Sequence, residues 1–437
     1  MLQNLVESTK KEHLTKISAV AIIVWIFAPI LITLCNLFNL DGFVTYKIWQ
    51  TVMYLVGGCG LLVGCTYLYQ ILDNSKQPMN KKLFALLPFF ALLAFGVWCF
   101  IAALAAKRTL VAIFGYSFIS DCFITYVNYA GFILLGLVLS RDKKKAKLLA
   151  NIFIIVSVVL ALITLMDNGV SVRLCENRYT NCFHYESVFY NTNHYAYYLL
   201  INILLSGYMF IFAKDIKLKL AYIASNIIFI ITLILNDTMG AYLAVLIVLI
   251  FAFIWSFINK DDKKKELIIL LVVFILVSGI MCIFTDSIIN NFVNMFADAN
   301  TMLDNIDADD VEADSVGSGR GALWRLYWDV MKKYPILGVG SENIGASAHN
   351  MFLQIGAYNG FVGLALYLSV FVIGAIRLIQ KRKELTNAQK TTAFIVVGYL
   401  ISGFFGVTMF YTAPYFYIAV GICFSAALKD LTYEEVL

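Results

Sequence analysis

The sequence predicts an all-α, polytopic integral membrane protein with about 12 transmembrane helices and a large extracytoplasmic loop carrying an amphipathic helix. Three observations predict it. Of 437 residues, 61% are hydrophobic and only 14% charged, where soluble domains carry roughly a quarter charged residues. Apolar runs of about 18 residues or more, with few charges inside them, recur along the whole length. Lys and Arg fall between alternate runs: with the N-terminus inside, about 24 of the 33 basic residues lie on the cytoplasmic side, the asymmetry that sets orientation. The net charge of +5 is then a matter of topology, and it argues against nucleic acid as a partner.

Spans are expected at 17–38, 48–71, 83–106, 120–140, 147–166, 194–213, 218–235, 239–258, 266–285, 359–379, 391–411 and 413–428. The first run is full length and lacks a small-residue cleavage site, so it reads as a span and not as a cleavable signal. Basic connections such as "SRDKKKAK" and "IQKRKELTNAQK" place both termini in the cytoplasm. "AAKRTLV" goes against the pattern, because Lys107 and Arg108 fall outside, where their stems can snorkel. Cys35, Cys59, Cys65, Cys99, Cys122, Cys282 and Cys423 lie in apolar runs and read as small buried hydrophobes. Cys175 and Cys182 sit in the external stretch "RLCENRYTNCF", where an oxidising exterior permits a disulfide; two free thiols are the alternative.

Residues 1–437 read as one integral membrane domain with two long external segments, 167–193 and 286–348. The second begins with "ADANTMLDNIDADDVEADS", an acidic lid whose Asp spacing lacks the central Gly and terminal Glu of a calcium loop. It continues as "SGRGALWRLYWDVMKKYPILGVG". Leu323, Tyr327 and Met331 recur at helical spacing, with Trp324 and Trp328 one step round, and Pro335 ends the pattern. This predicts an amphipathic helix at the outer face with its aromatics at headgroup level. Arg320 and Trp324 then lie one turn apart on the same side.

The stretch "PILGVGSENIGASAHNMF", 335–352, follows directly. Ser347 reads as an N-cap, with Ala348, His349 and Asn350 as the first turn of the next helix. The partial positive charge of a helix N-terminus disfavours an imidazolium, which leaves His349 neutral, as a general base must be. The same N–H groups suit an anionic phosphate. Gly338, Gly340 and Gly345 permit turns near the membrane surface. "GVGSENIG" is no dinucleotide fingerprint, because no strand precedes it. Singly, His349 reads as structural and Arg320 as a surface charge. Together on one external stretch they make a candidate site.

"GSGRGALWRLYWDVMKKYPILGVGSENIGASAHNMFLQIGAYNGFVGLALYL" resembles the signature region of the O-antigen ligase and polysaccharide polymerase superfamily. The shared pattern is an Arg four residues before a Trp, then P-x-x-G-x-G, then H-N, then a glycine-containing run into a helix. "FYNTNHYAYYLL" is similar to a second family element, an N-x-N opening a helix, and brings in Asn193 and His194. The resemblance implies a GT-C-like fold and glycosyl transfer on the outer face, with inversion and with neither metal nor cofactor. The implied donor is a glycan on polyprenyl diphosphate, and the acceptor a hydroxyl of another glycan or anchor. Membrane lipid, a flippase and a chain-length regulator are the other implied partners. Arg320 matches the family's loop arginine, suited to bidentate contact with the leaving diphosphate. His349 matches its loop histidine, placed to take the acceptor's proton or to orient the acceptor, with Asn350 and Trp324 as binding neighbours.

One departure stands out. Many family members carry an arginine and a glycine at the entry to the eighth helix, where "LILNDTMGAYLAVL" has Thr238 and Met239 before Gly240. Arg173, Arg178 and Arg325 are the available substitutes, each otherwise a solvated charge. Asp237 reads as an N-cap or an acceptor ligand. His194 is a rival base, His184 and Glu186 read as shaping the first loop, and His13 lies in the cytoplasmic tail. A polymerase of surface or capsular polysaccharide is the favoured reading, and a ligase onto a lipid core or wall acceptor the close alternative. A flippase for the same lipid-linked glycans is the rival class, disfavoured because the spans hold almost no central charges. A scaffold for an envelope complex would leave the external motif unexplained.

Overall fold

The computed structural model describes residues 2–38, 40–115, 121–167, 186–258, 263–286, 288–294, 297 and 311–432, and the secondary-structure elements among these described residues are helical. In chain order these are α1 (Leu2–Leu37), α2 (Gly42–Asn74), α3 (Met79–Ala85), α4 (Leu87–Ala105), α5 (Thr109–Phe114), α6 (Phe123–Leu139), α7 (Lys143–Asp167) and α8 (Thr192–Phe212). Then come α9 (Ile216–Leu235), α10 (Met239–Ile258), α11 (Lys264–Phe284), α12 (Val311–Lys333), α13 (Met351–Gln380), α14 (Asn387–Ser402), α15 (Ala413–Phe424), a 3-10 turn (Ser425–Leu428) and α16 (Lys429–Thr432).

Among the described residues nine helices are long and apolar enough to cross a bilayer: α1, α2, α4, α7, α8, α9, α10, α11 and α13. The chain is a multi-pass membrane protein. The shorter α6, α14 and α15 pack among these nine. Two expected spans need correction. The tenth begins at Met351 and not at 359, because Gln354, Gly356 and Asn359 dilute the apolar signal of its first turns. The eleventh is helical only to Ser402, and 403–412 is a loop that buries Val407, Met409, Phe410 and Tyr411 in the protein core while Phe404 is exposed.

α8 is the centre of the bundle, with 78% of its most apolar window buried, against 17% for α11. Outward-facing side chains such as Leu62 and Ile155 are large and apolar, the surface that lipid tails solvate. α2 and α6 approach so closely that a Cβ on Gly131 would collide with the Gly57 carbonyl oxygen, the small-residue contact by which membrane helices gain packing. Polar pairs join neighbouring helices: Ser157 with Tyr198 at 2.6 Å, Tyr222 with Asn151 at 2.8 Å, and Asn226 with Ser206 at 2.9 Å. Cys35, Cys99, Cys122 and Cys423 are buried as expected. Cys59 and Cys282 are only partly so and Cys65 is exposed, because its side of α2 faces out of the bundle. Lys107 and Arg108 are exposed in the break between α4 and α5, outside any helix.

α13 is kinked at Gly360, which has φ 73°. The kink frees the Ala357 and Tyr358 carbonyls to accept from the N–H groups of Val339 (3.0 Å) and Gly340 (2.9 Å), while the Phe361 N–H donates to the Pro335 carbonyl at 2.8 Å. The 335–340 turn therefore lies along the side of α13. Gly338, at φ 65°, has no room for a side chain against that backbone.

Candidate active site at the mouths of two helices

The amphipathic stripe expected on α12 is partly realised. Tyr327 and Met331 are buried at 0% and 1% exposure, against Ala348, Ala357 and Tyr358. The Tyr327 hydroxyl donates to the Ala346 carbonyl, which ties α12 to the turn ahead of α13. Arg320 lies about two turns towards the N-terminus of α12 from that tie. Trp324, one turn after Arg320, is partly buried, and its indole N–H has no hydrogen-bond partner among the described residues. Trp328 is exposed, edge-on to Phe361 with ring centroids 5.8 Å apart.

His349 has left-handed backbone, φ 47°, a region that non-glycine residues seldom occupy, at a cost on the order of 1 kcal/mol. Its neighbours hold the turn. The His349 N–H donates to Ser347 Oγ at 3.3 Å, the Ala348 N–H to Gln354 Oε1 at 3.2 Å, and the Met351 N–H to the Gly403 carbonyl at 2.8 Å. Asn350, and not Ser347, caps α13: its Oδ1 accepts from the N–H groups of Phe352 (3.0 Å) and Leu353 (3.1 Å). Ser347 is engaged instead in the tighter turn before the cap, so His349 stands ahead of the helix and not in its first turn.

The His349 ring is half-buried and makes no hydrogen bond among the described residues. Burial first, and then the Arg320 guanidinium, hold its pKa below the ordinary imidazole value. The ring is therefore neutral at pH 7, though for a different reason from the helix N-terminus expected. Arg320 has no ion pair among the described residues, and it acts electrostatically on both His349 and Tyr197 of α8. The two residues thus share one neighbourhood.

His194 opens α8 beside them, within electrostatic reach of His349. It is buried, its Nδ1 lies 2.8 Å from the Tyr411 hydroxyl, and the two rings meet edge to face at 5.1 Å. Asn191 caps α8 by accepting from the Asn193 N–H at 2.9 Å, and Asn193 itself is partly buried. The Tyr197 hydroxyl donates to the Ser402 carbonyl at 3.1 Å.

The 403–412 loop, which hydropathy folds into a span, therefore touches both mouths, through Gly403 at α13 and Tyr411 at α8. Its available signal is "GFFGVTMFYTAP", where two glycines, two threonines and Pro414 interrupt the apolar run.

Arg325 is partly buried on α12. Asp237 has left-handed backbone (φ 63°), and its Oδ1 accepts from the Asn291 amide at 2.6 Å. Arg173, Arg178, His184, Cys175 and Cys182 lie outside the described residues. An open furrow lined by Phe43, Val44, Lys47, Ile48, Thr51 and Val52 contains none of these residues and belongs to the surface of α2 alone.

Residues 224–368 match the family model described as O-antigen ligase. This segment is similar to the O-antigen ligase family. It runs from α9 into α13 and contains Arg320, Trp324, His349 and Asn350, while His194, Tyr197 and Tyr411 reach the same neighbourhood from outside it. No curated protein matches the chain.

Proposed function

We propose that the protein transfers a glycan from polyprenyl diphosphate to a hydroxyl of an acceptor glycan at the outer membrane face, as a polymerase of surface polysaccharide. The observation that carries the reading is the pairing of a guanidinium and a neutral imidazole, neither engaged by a carboxylate among the described residues, inside the O-antigen ligase region. In this reading His349 takes the acceptor hydroxyl's proton as that oxygen attacks the anomeric carbon. The bond to the diphosphate breaks on the opposite side, the configuration inverts, and Arg320 pairs with the departing diphosphate. Trp324, whose indole N–H has no internal partner, is offered to a sugar or phosphate oxygen, and Arg325 lends a second positive charge.

The topology that suits this chemistry counts α6, α14 and α15 as crossings beside the nine long helices. Both termini are then cytoplasmic, and α12 with the two helix mouths lies outside, consistent with the bias of basic residues.

Arg320→Ala and His349→Ala, at normal expression, are expected to abolish surface polymer while lipid-linked repeat units accumulate. Normal polymer in both variants would refute the proposal. The family description itself favours a second reading, a ligase that moves a finished glycan to a different acceptor. Purified protein given labelled lipid-linked repeat units alone separates the two: a polymerase yields a ladder of lengths, and a ligase yields product only when its own acceptor is added.

A further inference from the structure

Asp121 stands just ahead of α6, outside every motif above, and is 2% exposed. A buried carboxylate is destabilising unless it is bonded. Its Oδ2 accepts from the Gln354 side-chain amide at 2.9 Å. That bond fixes which way the amide of Gln354 faces. With its nitrogen committed to Asp121, Gln354 turns its oxygen to the Ala348 N–H at 3.2 Å and the Ser347 hydroxyl at 3.4 Å. Ser347 Oγ in turn accepts from the His349 N–H at 3.3 Å. Burial pushes the Asp121 carboxyl up to about 6, opposed by its hydrogen bond to Gln354, and in that bond the carboxyl oxygen is the acceptor.

The left-handed backbone at His349 persists only where its surroundings over-determine it, and a buried polar chain of fixed direction does so. The geometry points to Asp121 as a positioning residue: it orients the Gln354 amide, and Gln354 then holds residues 347–348 in the turn that presents the His349 ring. Asp121 itself touches no substrate. The inference rests on the reading of His349 as the group that serves transfer, and deepens it.

The test uses the full chain in lipid nanodiscs with two readouts. One is steady-state transfer. The other is acylation of His349 by diethyl pyrocarbonate, mapped by mass spectrometry, which does not depend on transfer. In Asp121→Ala, kcat is expected to fall about 10-fold or more with donor KM changed less than about 3-fold, since small misplacements of a reacting group act on the chemical step. The acylation rate at His349 should shift with it.

Asp121→Asn keeps an oxygen for the Gln354 amide and should stay close to wild type on both readouts. Gln354→Glu sets two carboxyl groups face to face and should behave like Asp121→Ala. Adding Asp121→Asn to it should restore both readouts, because the amide at 121 then donates to the carboxylate at 354, whose other oxygen still accepts from Ala348. Unchanged acylation in Asp121→Ala and Gln354→Glu, or no rescue by the paired change, would overturn the inference. Where Asp121→Ala does not fold, Gln354→Glu with and without Asp121→Asn decides alone. Full transfer in His349→Ala together with shifted acylation in Asp121→Ala would sink the catalytic reading and leave the positioning role standing.

Discussion

Two helix mouths in this protein carry an adjacent histidine and asparagine, and the fold treats them in opposite ways. At the mouth of α8, His194 is inside the helix, buried, and bonded to Tyr411. At the mouth of α13, His349 is outside the helix, half-buried, left-handed in backbone, and without a ring partner among the described residues. The difference comes from which residue caps. Asn191 caps α8 from three positions before His194, so the histidine is drawn into the bundle. Asn350 caps α13 from the position after His349, so the histidine stays in the turn. The His194 ring is bonded in the core, whereas the His349 ring is half-buried within electrostatic reach of Arg320.

The largest expected effect that sharpens this contrast is at the open mouth. His349→Ala should lower transfer by about 10²–10⁴-fold, the usual range for losing a general base. Arg320→Ala should cost on the order of 10²–10³-fold if it meets the charge that develops on the leaving group. Arg320→Lys should recover part of that loss, because it restores the charge without the bidentate geometry.

An intermediate effect concerns pH. Burial and Arg320 both lower the pKa of His349, so the acid limb of its pyrocarbonate acylation should lie below that of a free imidazole. Removing the positive charge in Arg320→Ala should move that limb to higher pH, and Arg320→Lys should leave it nearer wild type. A limb that does not respond to Arg320→Ala would separate the two residues.

The closed mouth should respond in stability more than in rate. Tyr411→Phe leaves the buried His194 Nδ1 without its partner, which should lower unfolding free energy by about 1–3 kcal/mol, read by thermal unfolding in detergent. A transfer defect as large as that of His349→Ala would erase the distinction between the mouths. The smallest effect is expected for Ser347→Ala, about 0.5–1.5 kcal/mol for a single modest hydrogen bond, again read by thermal unfolding.

Much of the fold was legible because lipid demands long apolar helices, and α10 has the expected bounds, Met239–Ile258. The arginine helix and its Tyr327–Met331 edge were legible from helical spacing. The start of α13 was hidden by two polar residues: Gln354, which donates to Asp121 just ahead of α6, and Asn359, whose side-chain amide donates to the Ile355 carbonyl within α13. The 403–412 loop was hidden because hydropathy reads burial in protein and burial in lipid alike. Asp121 left no mark, since a lone acid at the edge of an apolar run looks like a span boundary. The choice of His349 over His194 rested on its place beside the arginine helix in sequence and on its match to the family position. The cause of its availability, a cap one residue later, needed the backbone.

In the proposed reaction Arg320 and His349 work on one reacting centre. The most direct measurement is a double-mutant cycle on in vitro transfer with Arg320→Ala, His349→Ala and the pair. Residues acting as a unit are strongly non-additive, so the double variant should be no more than slightly slower than the worse single variant. Losses that multiply, or single variants with full activity, would contradict it.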